Sequence, residues 1–127
     1  KSLATDLLPD PELRALLAGL QRPFCVASSG AHDKIRLSLR AANLLDLFEG
    51  QIFSAEDVAQ GKPAPDVFLL AAKHNIVDPS QCLVIEDSGP GVAAGQAAGM
   101  TTLQYLPGGD GKQANQIQQL SELLQWL

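Results

Sequence analysis

Short apolar runs alternate with longer amphipathic stretches along the chain, and Gly, Pro and Asp punctuate the boundaries. Leu13, Leu16, Leu17 and Leu20 recur at helical spacing and predict a helix over 11–20, with Pro11 at its first position and Asp10 as N-cap. Gln21-Arg22-Pro23 breaks that pattern, and the compact run at 24–27 reads as a buried strand. A second helix is expected over 32–42, with Ile35, Leu37 and Leu39 as its apolar positions, then a short strand at 51–54. Beyond the loop Gly61-Lys62-Pro63-Ala64-Pro65, the Leu- and Ala-rich stretch 66–75 predicts a third helix. Cys82-Leu83-Val84-Ile85 is apolar on both faces, as a strand inside a parallel sheet is. A helix of small residues follows at 90–98, stopped by Gly99, then a strand at 101–105 and a last helix over 115–127. Between these last two, residues 108–111 read as a flexible turn.

Four strands alternating with helices predict an α/β domain: a parallel sheet with crossover helices on both of its faces. Sites in such sheets lie beyond the carboxyl ends of the strands, so the polar residues that directly follow each strand carry the functional information.

Composition narrows the choice of partner. A chain of 127 residues with 46% hydrophobic content is enough for one domain with a real core. Nine Lys and Arg against fourteen Asp and Glu give a net charge of −5, with no basic run, which argues against nucleic acid as the main partner. No apolar run approaches a membrane span and no signal-peptide pattern is present, so a soluble protein without membrane association is expected. Cys25 and Cys82 each lie inside an apolar run and read as buried thiols; nothing demands an oxidising compartment, and a cytoplasmic setting follows.

Two strand ends stand out. Ser28-Ser29-Gly30 follows the first strand, where a hydroxyl and backbone N–H groups at a helix start either cap the helix or bind an anion. Glu86-Asp87-Ser88-Gly89 follows the strand at 82–85. An acid pair there is electrostatically costly unless a cation is near, and a divalent ion such as Mg²⁺ or a lysine would supply one. Asp87 could instead cap the next helix, whereas Glu86, last in a buried run, has no such role. Lys62 lies in a loop stiffened by two prolines, as holding a flexible ammonium in place requires. Glu56-Asp57 follows a weaker strand and reads as a lesser candidate. His32 and His74 lack ligand-like spacing and suit surface or capping roles. Gly89-Pro90-Gly91 and Gly95 do not match a dinucleotide loop, and the preceding carboxylates would repel a pyrophosphate.

In order, the strand ending Ser28-Ser29, then Gly61-Lys62-Pro63-Ala64-Pro65-Asp66, then Val84-Ile85-Glu86-Asp87-Ser88 with Gly91 and Gly99 resemble the second, third and fourth motifs of the haloacid dehalogenase superfamily. The resemblance implies a three-layer Rossmann-like core. It also implies that Ser28, with Ser29, binds the transferring phosphoryl group, that Lys62 neutralises the nucleophile and phosphoryl oxygens, and that Glu86 and Asp87 hold Mg²⁺ directly or through water. The GKPAPD form with its acid pair looks most like the branch of β-phosphoglucomutases and small sugar-phosphate phosphatases. The implied substrate is a small phosphorylated metabolite.

One element of the family pattern is missing. Its first motif is a strand ending Asp-x-Asp, which supplies the nucleophile and the general acid/base, and no Asp-x-Asp occurs in these 127 residues. By the resemblance, residues 1–20 are a cap-to-core linker and helix, 21–127 are core, and the central first strand and the cap are lacking. The sheet should then have two unpaired central edges between the strands ending at Ser28 and Glu86, and so need a complementing N-terminal segment, a partner chain or a rearrangement. A non-catalytic phosphate-binding or regulatory module of the same fold is the competing function. A receiver-like signalling domain ranks behind both, because Lys62 precedes the acid pair.

Overall fold

The computed structural model describes residues 2–5, 11–109 and 113–127. Its elements run β1 (Ser2–Thr5), α1 (Pro11–Ala18), β2 (Phe24–Ser28), α2 (His32–Ala41), β3 (Ile52–Ser54), α3 (Asp66–His74), β4 (Cys82–Glu86), α4 (Gly89–Ala97), β5 (Thr101–Tyr105) and β6 (Gln116–Ile117). Short 3₁₀ turns cover Leu45–Phe48, Ala55–Asp57, Pro79–Gln81 and Leu120–Trp126. One six-stranded sheet holds all the strands in the order β3-β2-β1-β4-β5-β6, and every neighbouring pair is parallel. Asp10, expected as the cap of α1, lies outside the described residues, as do parts of the turn at 108–111.

Alternation along the strands sorts the core into two layers. Val26, Leu83, Ile85 and Leu103 point to one face and pack with Leu13 and Leu17 of α1, Ile35 and Leu39 of α2, Phe48, and Leu120 and Leu123. Cys25, Ala27, Phe53, Cys82 and Val84 point to the other and pack with Val67, Phe68, Ala71 and Ala72 of α3 and Ala94 and Ala98 of α4. Helices on both faces of a parallel sheet make the expected α/β sandwich. Leu37 does not join the core: it is 65% exposed, because only Ile35 and Leu39, one turn apart, face the sheet.

Two expectations are corrected. The vacant central position is filled: β1 lies between β2 and β4, pairing Leu3 with Phe24 and Leu83, and Thr5 with Val26 and Ile85. Residues 2–5 are therefore sheet, not linker. A short run with Ser and Thr at its ends carries little hydrophobic signal, but two flanking strands satisfy its backbone and override that weak local preference. The second correction is the C-terminus, where 115–127 forms the short strand β6 and a 3₁₀ segment instead of an α-helix. Leu120 and Leu123 are buried three residues apart, the repeat of a 3₁₀ turn, and Ile117 is buried from β6.

α2, α3 and α4 end in the same hydrogen-bond pattern. In α4, Gly99 N–H donates to Gln96 O and Met100 N–H to Gly95 O, with Gly99 at φ 77°. Asn43 fills the left-handed position after α2, and Ile76 fills it after α3 at φ 55°.

Candidate functional site

The sheet order reverses direction at β1, with β2 and β3 on one side and β4, β5 and β6 on the other. β1 ends at Thr5, opposite Val26 and Ile85, so Ala27 and Glu86 are the next positions on its two neighbours. The Lys62 ammonium joins those positions. It donates to Ala27 O at 3.0 Å and to Glu86 Oε2, and lies 4.9 Å from the centre of the Phe68 ring. The loop that carries it contains a cis Lys62–Pro63 bond.

Both partners are out of water: the Lys62 side chain is 3% exposed and Glu86 is 0%. Charges are buried this way only when paired, and the pairing fixes an ammonium at the carboxyl ends of β2 and β4. Gly91 makes room for the acid, because a Cβ at that position would overlap the Glu86 carboxylate. The small-residue start of α4 is thus a requirement of the buried glutamate, which explains the glycine-rich sequence that a dinucleotide reading would misassign.

Asp87 follows Glu86 but is exposed, on the solvent side of the strand end. It does not cap α4. Ser88 occupies the N-cap with extended backbone, and its hydroxyl accepts Gly91 N–H at 3.2 Å. Asp87 is thereby left facing solvent with two hard oxygen donors. Among the described residues no group of three or more His, Cys, Asp or Glu side chains converges as a ready metal cage.

On β2, Ser28 is half-buried and Ser29 exposed. Ser28 Oγ accepts Gly30 N–H at 3.0 Å, a local turn in place of a helix cap. The start of α2 is capped from elsewhere: its N-cap Ala31 offers no side-chain acceptor, and His32 N–H donates to Glu56 Oε1 at 2.6 Å. His32 Nε2 lies 2.7 Å from Asp57 Oδ2, and Ser54 N–H donates to that same oxygen at 2.9 Å. Ser54 Oγ, fully buried, donates to Gly30 O at 2.6 Å. Glu56 and Asp57 therefore matter more than their weak strand suggests. The signal that could have found them is the capping-box spacing of Ser54 and Asp57.

The structure thus brings Lys62, Glu86 and the strand end at Ser28 together, and sets Asp87 beside them on the exposed side. His74 takes no part in this cluster and stacks edge-on against Phe53, with centroids 5.2 Å apart. Cys25 and Cys82 are free and buried; desolvation, with a smaller push from Cys82, raises the Cys25 thiol to about 12, so it is chemically inert at neutral pH.

Known proteins are similar to this chain in sequence and in fold. The chain is 34% identical over 91 residues to 6-phosphogluconate phosphatase of Escherichia coli, covering 72% of the chain and 41% of that protein. It is 44% identical over 102 residues to a probable pseudouridine-5'-phosphatase of Drosophila melanogaster, covering 75% and 44%. The chain thus spans under half the length of these curated relatives. A HAD family hydrolase from Deinococcus radiodurans, solved with bound phosphate and sodium, superposes with TM-score 0.79 at 32% identity, over 92% of this chain and 56% of that one. The family model for haloacid dehalogenase-like hydrolases matches residues 2–99, and the chain belongs to that family.

Proposed function

We propose that this chain forms the phosphate- and metal-holding part of a Mg²⁺-dependent phosphoryl-transfer site that acts, as phosphatase or phosphomutase, on a small phosphorylated metabolite. The observation that carries this is the buried Lys62 ammonium, which joins Ala27, one residue before Ser28, to Glu86, one residue before Asp87. Phosphoryl transfer is mostly positioning and charge stabilisation, and a fixed ammonium between two strand ends suits both. The relatives named as phosphatases of 6-phosphogluconate and pseudouridine 5'-phosphate support the substrate class.

Ser28 and Ser29 would donate to phosphoryl oxygens, and Lys62 would hold a further one. Because Glu86 already balances the charge of Lys62, a phosphate dianion calls for another cation. Exposed Asp87 suits Mg²⁺, which takes one or two carboxylates and fills its shell with water and phosphate oxygens. Glu86 would act on that ion through its hold on Lys62 or through water. Bound there, Mg²⁺ would neutralise charge developing on the phosphoryl oxygens.

The attacking aspartate is the piece that this reading draws from outside residues 1–127, from a complementing segment or a partner chain, since no Asp-x-Asp lies within them. That segment would compete with β1 for its place in the sheet. The second reading is a non-catalytic phosphate-binding or regulatory module of the same fold, which needs no attacking aspartate. Free, buried thiols suit a cytoplasmic setting, and among the described residues no helix is long and apolar enough to cross a membrane.

The test is hydrolysis of p-nitrophenyl phosphate by the chain with Mg²⁺, alone and with a segment ending Asp-x-Asp added in trans. Turnover is expected only with the segment, and should disappear with EDTA or in Lys62→Ala. Turnover by the chain alone would place the nucleophile within it, and phosphate binding without turnover in either setting would favour the non-catalytic module.

A further inference from the structure

The proposed site depends on two loops, the one after β2 that carries Ser28 and Ser29 and the one after β3 that leads to Lys62. A closed set of hydrogen bonds joins them. Gly30 binds Ser28 through its N–H and Ser54 through its carbonyl, at 3.0 and 2.6 Å. Ser54 Oγ also accepts Glu56 N–H at 3.0 Å, and Ser54 N–H binds Asp57 at 2.9 Å. Glu56 and Asp57 return to His32, one through its backbone N–H at 2.6 Å and the other through its ring at 2.7 Å. Every bond in the set lands on residues 28–32 or 54–57.

α2 gives the set a purpose beyond tidy capping. A helix start leaves several N–H groups without intrahelical partners, and a serine or threonine usually answers from within the same turn. Here the N-cap is Ala31, which cannot, and the acceptor comes from 24 residues further along the chain. The carboxylate of Glu56 also occupies the positive end of α2. A phosphate is then left to the Ser28–Ser29 turn and Lys62, which makes the placing of that turn decisive.

We infer that Glu56 and Asp57 are positioning residues: through His32 and Gly30 they set the Ser28–Ser29 turn against the Lys62 loop. This rests on the phosphate-site reading above. Misplacing a binding group by an ångström costs a site heavily, so releasing the turn should weaken anion binding more than it weakens the fold.

The experiment titrates inorganic phosphate, with Mg²⁺ present, into the full chain while amide shifts of Ser29 and Gly30 are followed by NMR. It uses wild type, Glu56→Ala, Glu56→Gln and Asp78→Ala. Asp78 caps the Pro79–Gln81 turn away from these loops and serves as a control for the loss of a cap. Glu56→Ala should weaken phosphate binding roughly tenfold, while Glu56→Gln, which keeps an acceptor oxygen, should largely restore it. Asp78→Ala should bind like wild type at a comparable drop in melting temperature. A Glu56→Ala chain that binds as tightly as wild type or tighter would overturn the inference, as would Glu56→Gln as weak as Glu56→Ala. A wild-type chain silent to phosphate would remove the site itself, and the inference with it; that outcome is read in the wild type alone.

Discussion

Against one face of the sheet lie Leu17, Leu44, Phe48 and Leu123, large side chains that are 1% exposed or less. Against the other lie Phe68, also fully buried, and the small side chains Ala71, Ala72, Ala94 and Ala98, with Gly91 and Gly95 tighter still. Among the described residues the first face has no buried charge, and the ion pairs Arg14–Asp46 and Arg36–Glu49 sit in solvent. The second encloses the Lys62–Glu86 pair. Large side chains keep helices away from a sheet and fill the gap with carbon. In α4 the missing side chain of Gly91 leaves room for the carboxylate, and from α3 the Phe68 ring lies against the ammonium. The buried ion pair sits on this second face because a fixed buried cation needs walls.

Separating fold from site at full strength breaks this contrast most sharply. Phe48→Ala empties the large-residue face and should cost about 3–5 kcal/mol in urea unfolding, yet leave the phosphate response of the folded fraction intact. Lys62→Met strips the cation from a buried carboxylate and should cost a similar ~3–5 kcal/mol, while abolishing that response. If both variants kept the phosphate response, the two faces would not differ in the way described.

A smaller effect tests the walls. Gly91→Ala should cost about 1–3 kcal/mol, because the carboxylate in its way is held by Lys62 and cannot swing clear. A neutral result in thermal unfolding would mean that Glu86 has room to spare.

On the second face, α3 and α4 share one C-terminal hydrogen-bond pattern but not one residue, Ile76 against Gly99. Ile76 is 93% exposed at positive φ, so its side chain gains no burial in return for the backbone strain. Ile76→Gly should stabilise the fold by about 1 kcal/mol, read as a raised melting temperature; a loss would point to a contact of Ile76 that outweighs the strain.

The least effect belongs to an exposed pair on the opposite face. The Arg14 guanidinium hydrogen-bonds Asp46 and holds its carboxyl below the usual range. A lowered folded pKa stabilises above the unfolded value, about 3.9, and that contribution fades as pH falls through the folded value. Asp46→Asn should therefore differ slightly from wild type at neutral pH and not at all in strong acid.

Much of this was legible in sequence because period and punctuation act locally. The apolar run at 82–85, the amphipathic stretches behind α1 and α2, the Leu- and Ala-rich stretch behind α3 and the small-residue stretch behind α4 declare themselves within a few residues of their bounds. Lys62 and Glu86 could be picked out singly, one by its stiffened loop and the other by its place at a buried strand end. Other features depend on partners distant in the chain. β1 exists because two neighbours accept its backbone, not because Ser2–Thr5 favours a strand. Glu56 gains its place from a helix start 24 residues earlier. In sequence Asp87 is open to two readings, a cap or a metal ligand, because the serine beside it has the same capping chemistry, and only backbone geometry separates the two.

The central claim is that Ser28, Lys62 and Asp87 form one phosphate and Mg²⁺ site around a buried ion pair. Its most direct test is a Mg²⁺ titration of the wild-type chain at fixed inorganic phosphate, followed by backbone amide NMR. The account predicts weak, saturable and mutually dependent shifts at residues 28–30, 62 and 86–88, with the large-residue face unmoved. Shifts that ignore those residues, or that appear equally in Asp87→Ala, would contradict it.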